Sequence, residues 1–305
     1  MRGNPQDFMK VGIIHFMAFP KVMGGEGPIL DTLRELCEDD YFQVVEVTQI
    51  KDPALRKQAA ALAKSEGVTL AFGAQPILLM GKLNLNSADE AARQKAVEAV
   101  KGAIAQAYEL NASGVAVLSG PDPVNGEREK GRGLIVQSLR ELCAFSKSKG
   151  DKPVVLETFD RKPFGKNCLI GPTTEAVKVA EVVCKDFPSF GLMLDLSHLP
   201  LLDETPRAAL TTAKPFLRHI HIGNCVMRDP KHPAYGDNHP MFGIEGGEND
   251  VDELVEFLRV LLDIGYIGEH KRNVVSFELK PYGDQTSDDV IENGKETLEA
   301  AWRKL

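Results

Sequence analysis

Cysteine is scarce and unpaired in this chain: five residues in 305, Cys37, Cys143, Cys168, Cys184 and Cys225. An odd number with no close spacing excludes a C-x-x-C redox motif and a four-cysteine zinc site. Cys37, Cys143 and Cys184 fall in helical patterns and read as small buried hydrophobes. Such usage fits a reducing, cytoplasmic setting. Long apolar runs are also missing. None approaches the roughly 20 residues that span a bilayer, and residues 1–10 lack the apolar centre of a signal peptide. No membrane partner is expected. Basic residues are outnumbered, 36 Lys and Arg against 44 Asp and Glu, for a net charge of −8. With no run of Lys and Arg to meet a phosphate backbone, no nucleic-acid partner is expected either.

What is present is a regular alternation. Short runs rich in Val, Ile, Leu and Phe occupy residues 11–16, 42–47, 68–72, 114–118, 153–156, 191–194, 219–222 and 274–277, and read as strands. Amphipathic stretches lie between them at 28–38, 53–64, 87–110, 135–148, 173–184, 206–213 and 252–262, and a last one closes the chain at 288–302. Ser87 followed by Glu90 reads as a capping box for the longest helix. Two architectures accept eight alternations, an open doubly wound sheet and a closed barrel. No G-x-G-x-x-G follows the first strand, and the polar residues collect at the ends of the late strands, where barrel enzymes build their sites. The expected fold class is α/β, a (β/α)₈ TIM barrel, with residues 1–305 forming one domain.

Those strand ends carry the chemistry. The fifth strand ends in Glu157, the sixth in Asp195, the eighth in Glu278, and the seventh reads His219-Ile220-His221-Ile222. Strand ends in a barrel converge, and adjacent strands lie about 4.8 Å apart. Three inward carboxylates would repel one another, and a divalent cation relieves that repulsion. Glu157, Asp195, His221 and Glu278 are therefore the expected ligands of one metal ion. Three oxygens and one nitrogen suit Mn²⁺, Mg²⁺, Co²⁺ or Fe²⁺, with Zn²⁺ also compatible; Mn²⁺ is the expected ion. Period two puts His219 on the same face as His221 but one layer deeper, as a packed residue that orients neighbouring acids. His198, in D-x-x-H with Asp195, is expected to contact the substrate. His15 and Gln75, at the ends of the first and third strands, are expected substrate contacts as well. The loop 160–166 reads as an anion or lid contact. The long segment 225–250 reads as a lid, with Tyr235, His239 and Phe242 lining a sugar face.

Leu156-Glu157-Thr158-Phe159, Leu194-Asp195-Leu196-Ser197-His198, His219-Ile220-His221-Ile222-Gly223-Asn224 and Phe277-Glu278 occur in this order at the ends of the last four strands. In this the chain resembles the xylose-isomerase-like barrel superfamily, and within it the sugar phosphate isomerase/epimerase group of tagatose and psicose 3-epimerases and inosose dehydratases. The resemblance implies a metal held by Glu157, Asp195, His221 and Glu278, with Glu157 and Glu278 moving a proton on opposite faces of a ketose or oxo-sugar through a metal-stabilised ene-diolate. It implies that His198 contacts a substrate oxygen. The arginine that usually follows the seventh strand would fall at Met227, so Arg228, one residue on, is the candidate; Asn224 stands where an acid is common. A carbohydrate is the implied small-molecule partner, and homo-oligomers are common for this architecture. The same metal site also serves a lyase or dehydratase of an oxo-sugar or oxo-cyclitol, inosose-dehydratase-like or oxo-glycoside-cleaving, and a non-catalytic sugar-binding protein is the third reading. With seven histidines and no histidine at the ends of the second and third strands, the three-metal cluster of the more distant endonuclease IV class is not expected.

Overall fold

In a computed structural model, which describes residues 3–123, 126–161 and 164–305, eight strands form a closed barrel: β1 (Lys10–Ile14), β2 (Val44–Val47), β3 (Thr69–Gly73), β4 (Val115–Leu118), β5 (Val154–Glu157), β6 (Gly191–Asp195), β7 (Leu217–Gly223) and β8 (Val274–Glu278). Each pairs in parallel with the next, and β8 closes on β1 through Lys10↔Val274 to Ile13↔Phe277. Both faces of such a strand are buried, which is why the runs read as continuously apolar rather than alternating.

Period two along each strand sorts the residues into two populations. Val45, Val47, Leu70, Phe72, Val115, Val117, Leu156, Leu192, Leu194, Ile220, Val275 and Phe277 face the helices and belong to the main hydrophobic core. The intervening residues face the barrel axis and are small or polar: Gly12 on β1, Glu46 on β2, Ala71 on β3, Ala116 on β4, His219 and His221 on β7, Ser276 on β8. Ala116, Val155 and Met193 form a separate apolar cluster there. A β-carbon on Gly12 would lie 2.3 Å from Ser276 Oγ, so only glycine fits at that point of the interior. The small lower layer leaves a cavity of about 190 Å³ at the N-terminal mouth, lined by Glu46, Ala71, Ala116, Val155, Met193 and His219 among others.

Several expected boundaries move for local reasons. Asp89, not Ser87, caps the long helix Glu90–Glu109, its carboxylate accepting from the N–H groups of Ala91 and Ala92. The helix Arg128–Lys149 begins well before residue 135, because Gly131 and Gly133 interrupt the apolar period that marks its remainder. Short helices His15–Ala18 and Gln75–Met80 follow β1 and β3, the first of them beginning inside the run 11–16 expected as strand.

The first of these overturns the substrate role expected for His15. Leaving the strand at Ile14 turns its ring outward, between the barrel and the helix Ile29–Cys37. There Nε2 lies 2.7 Å from Thr32 Oγ1, whose hydroxyl in turn donates to the Pro28 carbonyl. His15 is 2 % exposed, and burial alone pushes its pKa down from 6.5 to about 3. The folded state thus holds a neutral imidazole that the unfolded chain would protonate. Its contribution is present above pH 6.5 and is lost as pH falls from there towards 3. We expect His15→Gln to be less stable than the parent by about 1–2 kcal/mol at pH 7.5. Urea unfolding at pH 7.5 and pH 5 should show that gap narrowing at the lower pH; a gap of constant size would mean that the ring titrates normally.

Candidate metal centre

The inward series of β5 to β8 delivers four donors to one point at the C-terminal end of the barrel. One ligand atom each from Glu157, Asp195, His221 and Glu278 lies within 4.8 Å of the others, and all four residues are buried. The register explains the convergence: Asp195 is paired with His221, and Gly223 with Glu278. At Gly223 a β-carbon would come within 2.5 Å of the Glu278 carbonyl oxygen, so the glycine is what lets the end of β8 sit this close.

Three of these donors have nothing to bond. Glu157 Oε1, Asp195 Oδ2 and His221 Nδ1 are buried without a hydrogen-bond partner, although His221 Nδ1 lies 2.8 Å from Glu278 Oε2 and 3.4 Å from Glu157 Oε1. Unpartnered buried polar atoms are costly. Orphans aimed at one another across a few ångströms are what a cation site looks like without its ion, and the donor set of carboxylates and one imidazole fits a divalent metal.

The surroundings fix each donor. Gln75 Nε2 donates to Glu157 Oε2 at 2.7 Å, which leaves Oε1 as the free ligand atom. Behind His221 stands Glu46, from the opposite side of the barrel. Its carboxylate lies 3.3 Å from His221 Nε2 and 2.7 Å from His219 Nε2. A carboxylate only accepts, so Nε2 of His221 donates to Glu46, and Nδ1, which faces Glu278 and Glu157, is the nitrogen that would take an ion on losing its proton. Burial would raise the Glu46 carboxyl, but His219 and His221 hold it well below the usual range; His221 is correspondingly raised by Glu46, Glu157 and Glu278 against its own burial. Asp195 is raised to about 6, chiefly by burial. Glu278, also buried, is nevertheless held down to about 2, with His239 and then His221 beside it.

A second donor group adjoins the first. Asp195, His198 and His239 also offer atoms within 4.8 Å of one another. His239 Nε2 lies 2.7 Å from Asp237 Oδ1 and 3.3 Å from Glu278 Oε1. Among the described residues this group is a departure from the expectation of a single set of ligands. Asp237, which meets both histidines of this group, is paired with the ammonium of Lys166. Burial opposes that charge, but Asp237 keeps Lys166 protonated. The backbone N–H groups of Lys166 and Asn167 are in turn held by Asp160.

Gln75 and His239 line the cavity above the cluster, together with Glu157, His221 and Glu278. Two expected substrate contacts lie elsewhere. His198 does not line the cavity: Nδ1 faces the Thr158 carbonyl at 2.7 Å and Nε2 faces Asp237 Oδ1 at 3.1 Å. With an acceptor at each nitrogen the ring is doubly protonated, and Asp237 and Asp195 raise its pKa to about 10 against the effect of burial. Arg228 is exposed and paired with Glu248 at 2.7 Å, because the chain leaves the barrel mouth directly after Cys225. Of the long segment after β7, Asp237, Asn238 and His239 reach the cavity, whereas Phe242 is buried in the core and Tyr235 packs against Phe164. Of the loop 160–166, Lys166 lines the cavity and Lys162 lies outside the described residues.

Glu46 and Asp237 were not among the expected site residues, and Lys166 was expected only as part of the loop 160–166. Glu46 had a signal, as the one charge inside the apolar run 42–47. Asp237 and Lys166 had none beyond their places in two loops, since their meeting depends on how those loops fold back.

Comparison with known proteins agrees with the geometry. A family model described as xylose isomerase-like TIM barrel matches residues 35–301. No curated protein matches the sequence. Solved structures do match in fold. The IOLI protein with a bound zinc atom superposes with a TM-score of 0.73 at 19% identity, over 97% of this chain and 99% of that one. A D-tagatose 3-epimerase-like protein gives 0.72 at 20% identity, with the same coverage of 97% and 99%. The D-psicose 3-epimerase of Clostridium cellulolyticum H10, solved with D-tagatose, gives 0.66 at 22% identity, over 97% of this chain and 96% of that one. Since the family model spans nearly the whole barrel, from the helix before β2 to the last helix, the chain belongs to the xylose isomerase-like TIM barrel family.

Proposed function

We propose that this protein is a divalent-metal-dependent isomerase or epimerase that moves a proton next to the carbonyl of a ketose or oxo-sugar. One observation carries the reading: orphaned donor atoms of Glu157, Asp195 and His221 converge, with Glu278, on the floor of a cavity into which two of the carboxylates also face. The family, and the sugar epimerases among the solved structures of the same fold, support it. Glu157, Asp195, His221 and Glu278 would hold the ion, and Mn²⁺ suits three oxygens and one nitrogen. When bound, a divalent cation supplies a Lewis acid that polarises a substrate carbonyl and acidifies the neighbouring C–H.

The residues of the chain supply the rest. Glu157 and Glu278 come from strands three apart in the barrel and flank the cavity floor, so one, as carboxylate, would take the proton from one face of the carbon and the other, as carboxylic acid, would give its proton to the opposite face. Gln75 holds Glu157 by one oxygen and keeps its orientation constant through the transfer. Asp195 does not line the cavity and serves as a ligand only. His239 and Asn238 line the side of the cavity towards the segment after β7, where they can bond substrate hydroxyls.

Protein purified without chelator and dialysed against Mn²⁺ is expected to retain close to stoichiometric metal, and Asp195→Asn to lose it. In ²H₂O the parent should exchange the hydrogen next to the carbonyl of at least one member of a panel of ketoses and oxo-sugars. Glu157→Gln and Glu278→Gln should slow that exchange by about 10²–10⁴-fold. A folded parent protein that takes up no divalent ion sinks the reading. For Glu46, Ala substitution should weaken Mn²⁺ binding by about 10–100-fold, measured by competition with a chelator, and Gln should recover part of the loss because its amide oxygen still accepts from His221. Unchanged affinity in Glu46→Ala would show that the carboxylate has no hold on the ligand.

A further inference from the structure

The donor group beside the candidate metal centre has the marks of a built cradle. Asp237 Oδ1 lies 3.1 Å from His198 Nε2 and 2.7 Å from His239 Nε2, and all three residues are buried. The Thr158 carbonyl accepts from His198 Nδ1 and so turns Nε2 towards the group, as a backbone acceptor behind a ligating imidazole does. His239 Nε2 and Asp195 Oδ2 are buried there without hydrogen-bond partners. Asp195 belongs to both groups and would bridge two ions. Imidazole and carboxylate donors of this kind suit Zn²⁺ or Co²⁺.

One cation is already in place, and the chain itself supplies it. The Lys166 ammonium donates to the other carboxylate oxygen of Asp237, Oδ2, and to the Asp237 carbonyl at 3.2 Å. It also lies 5.1 Å from the centre of the Phe159 ring. Asp160 accepts from the Lys166 backbone N–H and fixes the root of the side chain. Gly236 makes the meeting possible. Its φ is +85°, and a β-carbon on it would lie 2.4 Å from the Phe164 carbonyl oxygen. Only glycine therefore lets the loop after β5 close on the segment after β7, next to Asp237 in one chain and to Lys166 in the other.

This arrangement leaves the second group without free anionic charge. Asp237 is neutralised by Lys166, and Asp195 is a ligand of the first ion on the reading above. A second dication would find two imidazoles and a carboxylate whose far oxygen already carries an ammonium. A buried dication beside a like charge, with no anionic ligand of its own, is disfavoured.

Resting on the metal-dependent reading, we propose that Lys166 is a built-in counter-ion standing in for a second metal. Its ammonium holds the centre to one ion per chain, and a neutral side chain at this position opens the group of Asp195, His198, Asp237 and His239 to a second. With a single ion bound, His239 stays free on the cavity wall, where it faces substrate instead of metal.

Metal counting tests this. Parent protein and Lys166→Met are dialysed to equilibrium against the same modest excess of Zn²⁺, and bound ion is measured by elemental analysis against the dialysate. The parent should hold close to one Zn²⁺ per chain and Lys166→Met close to two. Affinity for the second ion should rise by about 10–10³-fold, the size of effect that one neighbouring charge has on proton binding. In the double variant Lys166→Met, His239→Ala the second ion should be lost and the first kept, which locates the gained ion. Two Zn²⁺ in the parent, one in a folded Lys166→Met, or a second ion that survives His239→Ala overturns the proposal and leaves the metal-dependent reading standing. No ion in a folded parent removes both. If Lys166→Met does not fold by circular dichroism, Lys166→Gln carries the same comparison, and the parent's own count decides against the proposal whenever it reaches two.

Discussion

Mutual repulsion among three carboxylates, buried together at the end of a barrel, is the constraint around which this molecule is arranged. Carboxylates at such separation in a low-dielectric interior do not remain ionised unless opposite charge is supplied. The protein supplies it from two sides. Imidazoles of His221 and His239 stand between the acids, and beneath His221 a further carboxylate, Glu46, holds its outer nitrogen and that of His219. The result is an alternating column of acid and base down the barrel axis. It explains why interior positions that in other barrels carry branched apolar side chains here carry Glu46, His219 and Ser276.

That column also accounts for the division of labour between the two faces of the strands. The outer face, rich in Val, Ile, Leu and Phe, packs the helices and provides the hydrophobic core. The inner face contributes little apolar burial and is given over to positioning. Changes on the one face and on the other therefore act on different properties, cohesion in the first case and charge arrangement in the second. Of the loops, those after β1 and β3 bring Phe16, Met17, Leu79 and Met80 to the mouth beside Gln75, and those after β5 and β7 bring Lys166 and Asp237, which neutralise each other at the cavity wall.

Much of this was legible in the residue order. Eight apolar runs gave eight strands, because strands covered on both sides need continuous hydrophobicity, and the alternation with amphipathic helices admitted few topologies. Glu157, Asp195, His221 and Glu278 stood out since each follows an apolar run directly. Glu46 did not, being one acid inside a run whose neighbours all read as strand; a charge in such a place signals an inward-facing group only once the barrel is assumed. His15, His198 and Arg228 were misplaced for another reason. All three lie near strand ends, but the direction of a side chain depends on whether the chain turns into a short helix, as at His15 and His198, or leaves the barrel mouth, as at Arg228, and neither is written in local pattern. The meeting of Lys166 with Asp237 spans two excursions far apart in sequence.

The space left at the N-terminal mouth has a consequence of its own. Below Glu46 the barrel is lined by Ala71, Ala116, Val155 and Met193 around a cavity of about 190 Å³. Recesses of this kind, open at the mouth, leave the side chains around them without packing partners on one side. They also give evolution, or an engineer, room to thicken the base of the barrel with larger aliphatic groups. Glu46 and His219 line the same space, so such reinforcement has to leave their side chains clear if the hold on His221 is to be kept.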